Sequence, residues 1–194
     1  MKSIHTPLSR EVIQSLHCGD QVLLSGEILT ARDAAHKRIV QMLEAGESLP
    51  FSIQNEIVYY MGPTPSRPGQ VIGAAGPTTS SRLDAYSPTL IARGLIGMIG
   101  KGKRDEAVVE AIVKYGGVYF GAGGGLGALM SACIVKAQVI AFDDLGTEAV
   151  RRLEVSNMPL TVLIDSLGND LYKQGREDYL KSQFGVCRQK EWVS

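Results

Sequence analysis

At 194 residues, 44% of them hydrophobic and 22 of them glycine, the chain is long enough for one domain with a substantial core and for many tight turns beside strands. Its 20 basic and 20 acidic residues cancel to a formal net charge of zero, which argues against a nucleic-acid surface but leaves room for a local basic pocket. No apolar run approaches the roughly 18 residues a membrane helix needs, and Met1 to Pro7 lacks the apolar core of a signal peptide, so a cytoplasmic protein is expected.

In chain order, Ser9 to Leu16 reads as a short helix with Ser9 as its N-cap. Gln21 to Leu29 reads as a strand and Ala31 to Leu43 as an amphipathic helix ending at Ala45-Gly46. At their junction, Thr30 and Asp33 have capping-box spacing, which places Arg32 near a helix N-terminus. His36 lies one helical turn further on, on the same side. It is a candidate for proton chemistry, with a satisfied, partly buried imidazole as the plain alternative. Glu56 to Met61 is a second strand, and Pro63, Pro65 and Pro68 stiffen the loop after it. That loop suits either a wall of a site or a subunit contact.

Gln70 to Ala75 reads as a buried strand. Gly76-Pro77 then turns the chain, and Thr78, Thr79, Ser80, Ser81 and Arg82 follow. Hydroxyls and backbone N–H groups beside a guanidinium suit a carboxylate or a phosphate; the alternative is a set of caps for a helix beginning near Asp84. Two arginines and Lys101, the latter held between Gly100 and Gly102, each stand on a tight turn after an apolar run. Together they suggest a site for a substrate with two negative ends.

Beyond Asp84 the pattern alternates. Helices are expected at Ser87 to Ala92, Asp105 to Lys114, Leu126 to Val135 and Glu148 to Leu153. Strands are expected at Ile96 to Ile99, Val118 to Phe120, Gln138 to Phe142 and Leu160 to Asp165. Such alternation implies an α/β domain with a mainly parallel sheet, and the strand-rich first third suggests a second, smaller sheet. No linker divides the chain, so residues 1–194 read as one domain, with 173–194 a charged, helix-like appendage that includes Trp192.

A rival motif is Gly123-x-Gly125-x-x-Ala128, between a strand and a helix, with Asp143 about 20 residues further on as in a dinucleotide fingerprint. Close packing of helix on strand, or an anion contact, would explain it equally. Cys18, Cys133 and Cys187 are widely spaced and read as packing residues or incidental thiols. His5, His17 and His36 lack ligand-like partners, and Asp143 and Asp144 would face opposite ways in a strand. Neither a metal nor a cofactor is expected on this chain.

Thr30 to Arg38, Tyr59 to Pro65, Gly76 to Arg82, Ile99 to Gly102, Asp144 to Ala149 and Asp165 to Tyr172 together resemble the β subunit, or C-terminal domain, of class I iron–sulfur fumarases. The tartrate dehydratase β subunit shares much of this pattern, while Gly62-Pro63-Thr64-Pro65 is more similar to the fumarase branch. The resemblance implies a three-layer swivelling β/β/α fold. It also implies a hetero-oligomer that hydrates fumarate to L-malate, with tartrate or mesaconate as alternative substrates; the isolated chain would be a homodimer. The partner α subunit would carry a [4Fe–4S] cluster as Lewis acid, and this chain would bind neither nucleic acid nor membrane. On this chain, Arg32, Thr78, Arg82 and Lys101 are implied to bind the dicarboxylate. Thr79, Lys101 and His36 are implied to be catalytic, Thr79 as the base, although a hydroxyl is a poor base unless nearby cations lower its pKa. The family usually has a Gly-Gly-Ala-Ala-like stretch where this chain has Gly123-Gly124-Gly125. If the named residues fail to converge, a non-catalytic interaction subunit becomes the better account.

Overall fold

The computed structural model describes residues 1–187. Short strand β1 (Lys2–His5) leads to α1 (Arg10–Ser15), β2 (Gln21–Thr30), α2 (Asp33–Glu44) and β3 (Ile57–Tyr59). A 3-10 turn at Ser80–Leu83 precedes α3 (Ser87–Ala92), β4 (Gly97–Gly100), α4 (Glu106–Tyr115) and β5 (Val118–Gly121). The chain finishes with α5 (Gly127–Ala132), β6 (Ile134–Ala141), a 3-10 turn at Asp143–Glu148, β7 (Val150–Ile164) and α6 (Leu171–Cys187).

The local chemistry explains most of these boundaries. Ser9 Oγ accepts from Val12 N at 3.3 Å and caps α1, and Asp105 Oδ1 accepts from Val108 N at 3.0 Å and caps α4. Gly116 ends α4 at φ +78°, a left-handed position that a Cβ would strain. The start of α2 differs from expectation. Thr30 remains in β2, where its Oγ1 accepts from Arg151 N at 3.2 Å, so no capping box forms. Arg32 stands at the N-cap without a side-chain cap bond. Glu148, distant in sequence, caps the helix instead, its Oε2 accepting from Ala34 N at 2.7 Å.

The α/β class is observed, but the seven-stranded sheet is mixed rather than mainly parallel. β1 through β5 pair in parallel, in chain order. β7 runs antiparallel to β2, β5 and β6. Thr161 in β7 faces Gln21 of β2 on one edge and Gly121 of β5 on the other, so β2, β3, β4, β5 and β7 close into a ring. This strand replaces the helix expected at 148–153 and absorbs the strand expected at 160–165. Its buried positions change phase, from Leu153 and Val155 to Met158, Leu160 and Val162, across Asn157 at φ +50°. The left-handed residue hides the period-2 pattern of a single strand.

Further departures also have local causes. Residues 70–75 form no strand, because no neighbouring strand pairs with them. Thr64 N donates to Ala74 O at 3.1 Å, and Ala75 N donates to Gly127 O at 3.0 Å. The helix expected to reach Val135 stops at Ala132, where β6 takes over. Strand β1 was not anticipated. Helix α6 covers part of the expected tail appendage, and Trp192 lies outside the described residues.

Alternation along the strands divides the core in two. Ile57, Tyr59, Ile99, Val118 and Phe120 join one cluster with Ile13 of α1 and Leu16 just after it. Val58, Tyr60, Met98 and Tyr119 join the other, under α2, α3 and α4.

Candidate functional site

Four parallel strands end together. Thr30 of β2 is level with Tyr59 of β3, Ile99 of β4 and Phe120 of β5. The residues just past that row therefore share one edge: Arg32 after β2, Gly62 after β3, Lys101 after β4 and the glycine loop after β5. Carboxyl ends of parallel strands are where α/β sheets bind ligands. The Gly76–Arg82 turn crosses the same edge. Thr78 N donates to Tyr60 O at 2.7 Å, Thr79 pairs with Lys101 as a parallel bridge, and Ser80 N donates to Lys101 O at 2.9 Å. Arg32, Thr78, Thr79, Arg82 and Lys101 are thus brought together.

The charges interlock without saturating one another. Arg82 Nη2 donates to Thr78 Oγ1 and lies 3.3 Å from Asp33 Oδ2. Asp33 Oδ2 is also 3.9 Å from Arg32 Nη2, which lies 3.7 Å from Glu148 Oε1. None of these carboxylates grips a guanidinium by two short bonds, so each fork keeps donors for a ligand. Arg82, Thr79 and Lys101 are exposed, and Arg32 is half-buried. The edge is therefore open on one side.

Gly62 lies against Arg32. A Cβ added there would sit 2.8 Å from Arg32 Cδ, 2.9 Å from its Nη1 and 3.0 Å from Thr147 O. The Thr147 carbonyl is backbone, so the arginine must give way. Gly62→Ala is expected to preserve the fold while weakening dicarboxylate affinity at least about tenfold, because small misplacements of a clamp are costly. Titration calorimetry with succinate checks this.

His36 sits behind this edge. It is fully buried, and its ring meets Tyr60 edge-on at 5.2 Å. Nδ1 donates to Arg32 O at 2.8 Å, the only direction a carbonyl acceptor permits, while Nε2 has no partner. Burial pushes its pKa down to about 4, and the nearby Arg104 charge adds to that, against the Arg32 carbonyl and Asp33. The imidazole is therefore neutral at pH 7 and holds the Arg32 backbone. Below pH 6.5 the unfolded chain takes up a proton that the folded imidazole refuses, so stability falls as pH drops, until the folded group titrates near 4. Between pH 7 and pH 4.5 the parent should lose roughly 2 kcal/mol more than His36→Asn, which keeps the Nδ1-like donor but cannot titrate. Urea unfolding at pH 7 and pH 4.5 measures the difference.

Residues 2–175 match the family model described as fumarase C-terminus. The chain belongs to the fumarase C-terminus family. It is 38% identical over 179 residues to fumarate hydratase 1, mitochondrial, of Leishmania major, covering 90% of this chain and 32% of that protein. It is 35% identical over 176 residues to the anaerobic class I fumarate hydratase of Escherichia coli K12, covering 90% and 31%. It is 36% identical over 180 residues to a protein named putative L(+)-tartrate dehydratase subunit beta in Methanocaldococcus jannaschii, covering 90% and 92%. The chain thus spans about a third of the fumarate hydratases it matches and nearly all of the tartrate dehydratase subunit.

In this fumarase C-terminal chain the glycine loop does not form a dinucleotide fold. Helix α5 has only six residues, and the strand after it, β6, runs antiparallel beside β7 instead of parallel beside β5. The loop instead lies beside Lys101 and the Gly76 turn. Gly127 packs on Gly76, where an added Cβ would meet Gly127 Cα at 3.5 Å, and a Cβ on Gly124 would meet Lys101 Cδ at 3.9 Å. Asp143 and Asp144 lie in a 3-10 turn rather than a strand, and Asp144 takes two bonds of 2.7 Å from Arg38.

The described cysteines do not fit an iron–sulfur ligand set. Cys18 Sγ donates to Leu163 O and Cys133 Sγ to Leu129 O, each at 3.5 Å. Burial first, then Asp165 and Asp170, push the Cys18 thiol up to about 11, and burial raises that of Cys133. Both environments disfavour the thiolate a cluster requires. The Cys187 side chain lies outside the described residues. Among the described residues, no group of three or more His, Cys, Asp or Glu is placed to hold a metal, and no helix is long and apolar enough to cross a membrane.

Sequence reasoning missed Glu148 and the role of Gly62 beside Arg32, because both depend on tertiary contacts. It also missed a buried group beneath Lys101. Tyr119 Oη lies 2.9 Å from Ser80 Oγ, and Arg104 Nε lies 2.6 Å from Asp84 Oδ1. Burial raises the Tyr119 pKa, so the phenol keeps its proton. Burial opposes the Arg104 charge, but Tyr60, Asp84 and Tyr119 outweigh it and raise that pKa.

Proposed function

We propose that this chain is the β subunit of a two-subunit class I fumarate hydratase, contributing half of a site that interconverts fumarate and L-malate. The observation that carries this is the convergence of Arg32, Arg82 and Lys101 with Thr78 and Thr79 at one open edge. Match to almost the whole length of a protein named as a subunit beta supports a separate-chain arrangement. The closed sheet with α2, α3 and α4 packed over one face is compatible with a swivelling β/β/α domain. In a cell the complex would reside in the cytoplasm.

Arg32 and Arg82 each hold a substrate carboxylate through paired N–H donors, which also positions the carbons between them. Thr78, bound to Arg82, contributes a further hydrogen bond and orients the fork. In the dehydration direction a proton leaves the carbon next to one carboxylate, whose oxygens gather negative charge. Lys101 stabilises that charge. Thr79, whose backbone pairs with that of Lys101, takes the proton as its alkoxide, the form that the nearby cations favour, and the hydroxide leaves the neighbouring carbon toward the partner's half of the site. His36 is too deeply buried to meet substrate, and acts by fixing Arg32. The [4Fe–4S] cluster belongs to the partner α subunit, as do the remaining faces of the pocket.

The tartrate reading has its own support in the coverage of the Methanocaldococcus jannaschii protein. Initial rates of the complex, reconstituted anaerobically with its α subunit, separate the branches when fumarate, mesaconate and tartrate are compared. Fumarate is expected to give the highest kcat/KM. Preference for tartrate would move the chain to that branch, and no turnover of any acid would favour an interaction subunit.

A further inference from the structure

Beneath the open edge lies a buried polar assembly that the proposed chemistry leaves unused. The Arg104 side chain is 0% exposed. Its Nε donates to Asp84 Oδ1 and its Nη2 to Ser87 Oγ, both at 2.6 Å. The guanidinium lies over the Tyr60 and Tyr119 rings, 5.4 and 5.0 Å from their centroids. Asp84 Oδ2 accepts from Asp105 N at 2.9 Å. One carboxylate thereby ties the end of the Gly76–Arg82 turn to the start of α4.

Above the pair, the hydrogen-bond directions can be assigned from the acceptors. Tyr119 Oη lies 3.0 Å from Gly102 O, and a carbonyl only accepts, so the phenol donates there. The same phenol proton is shared with Ser80 Oγ, which accepts from Tyr119 Oη across 2.9 Å and from Lys101 N at 3.1 Å. The relay runs from the Lys101 amide through Ser80 and Tyr119 to the Gly102 carbonyl. It brackets Lys101 on both sides and joins it to the residue after Thr79. Gly100 permits this approach, since a Cβ there would stand 2.0 Å from Ser80 Oγ.

A buried ion pair is a poor way to gain stability, because desolvation offsets its attraction and apolar replacements often do as well. It is a good way to fix geometry. We propose that the Ser80–Tyr119 relay, seated on the Arg104–Asp84 pair, is a positioning device that sets Lys101 and Thr79 relative to each other. The proposal rests on the reading above in that it gives Lys101 and Thr79 work in the reaction.

Tyr119→Phe removes the hydroxyl and keeps the ring against Arg104. In the reconstituted complex it should lower kcat at least about tenfold with KM within about threefold. In a Lys101→Met background it should cost less than about twofold more, since a residue acting through Lys101 has nothing left to position. Losses that simply multiply would overturn the proposal. A second readout needs no turnover. In the full chain, amide hydrogen exchange at Lys101 should rise at least about tenfold in Tyr119→Phe and in Ser80→Ala, with Ile112 in α4 unchanged. Unaltered Lys101 exchange in Tyr119→Phe would overturn the relay even if the complex hydrates fumarate. Faster exchange in the two variants, with a parent complex that turns over none of the acids, would retain the relay and reject the reaction.

Discussion

Arg82→Lys is expected to lower kcat/KM of the reconstituted complex about 30-fold or more, equivalent to about 2 kcal/mol of transition-state stabilisation. Charge is preserved, so what is lost is the planar fork. In the free chain one arm of that fork reaches both Thr78 Oγ1 and Asp33. A lysine ammonium is a point charge and cannot serve Thr78 and a substrate carboxylate in one plane. The effect should be large because, on the proposed reading, a partner subunit would cover this edge and remove the water that could replace the missing bond. Steady-state kinetics on a variant that still co-purifies with its partner gives the answer. Activity within about threefold of the parent would remove Arg82 from the site.

Lys101→Met should have a comparable or larger effect, concentrated in kcat. Methionine keeps most of the apolar stem and removes the charge, so ground-state binding, shared with Arg32 and Arg82, changes less. A positive group aimed at charge that appears only in the transition state is worth about a hundredfold or more in rate. A KM rise with unchanged kcat would instead mean that Lys101 binds substrate and transition state equally. Both variants should leave the thermal midpoint nearly unaltered, because both side chains are exposed.

The candidate site was more legible than the sheet that carries it. Lys101 between two glycines and Arg82 after a run of hydroxyls are local features, and the rule that ligands gather beyond parallel strands needs only the strand order. Strand β7 was legible only in its last third, because Asn157 shifts the phase of its alternation. Residues 70–75 look like a strand by apolarity, yet Thr64 and Gly127 take their backbone partners. Thr30 had the right spacing to cap α2 and lost that role to Glu148, a contact no local pattern encodes. Arg104 was the hardest to foresee. In Lys101-Gly102-Lys103-Arg104-Asp105 it looks like part of a solvated charge run, and the facing Asp84, Ser87 and two tyrosine rings make its burial tolerable.

The central claim is that this chain holds the carboxylate-binding half of a divided site. Fumarate hydration by the purified chain, by the cluster-bearing α subunit and by their anaerobic mixture tests it most directly. The chain alone should melt cooperatively, show no iron–sulfur absorbance and give no hydration above background, while the mixture turns over. Robust hydration by the iron-free chain alone, or by the α subunit at the rate of the mixture, would contradict the division.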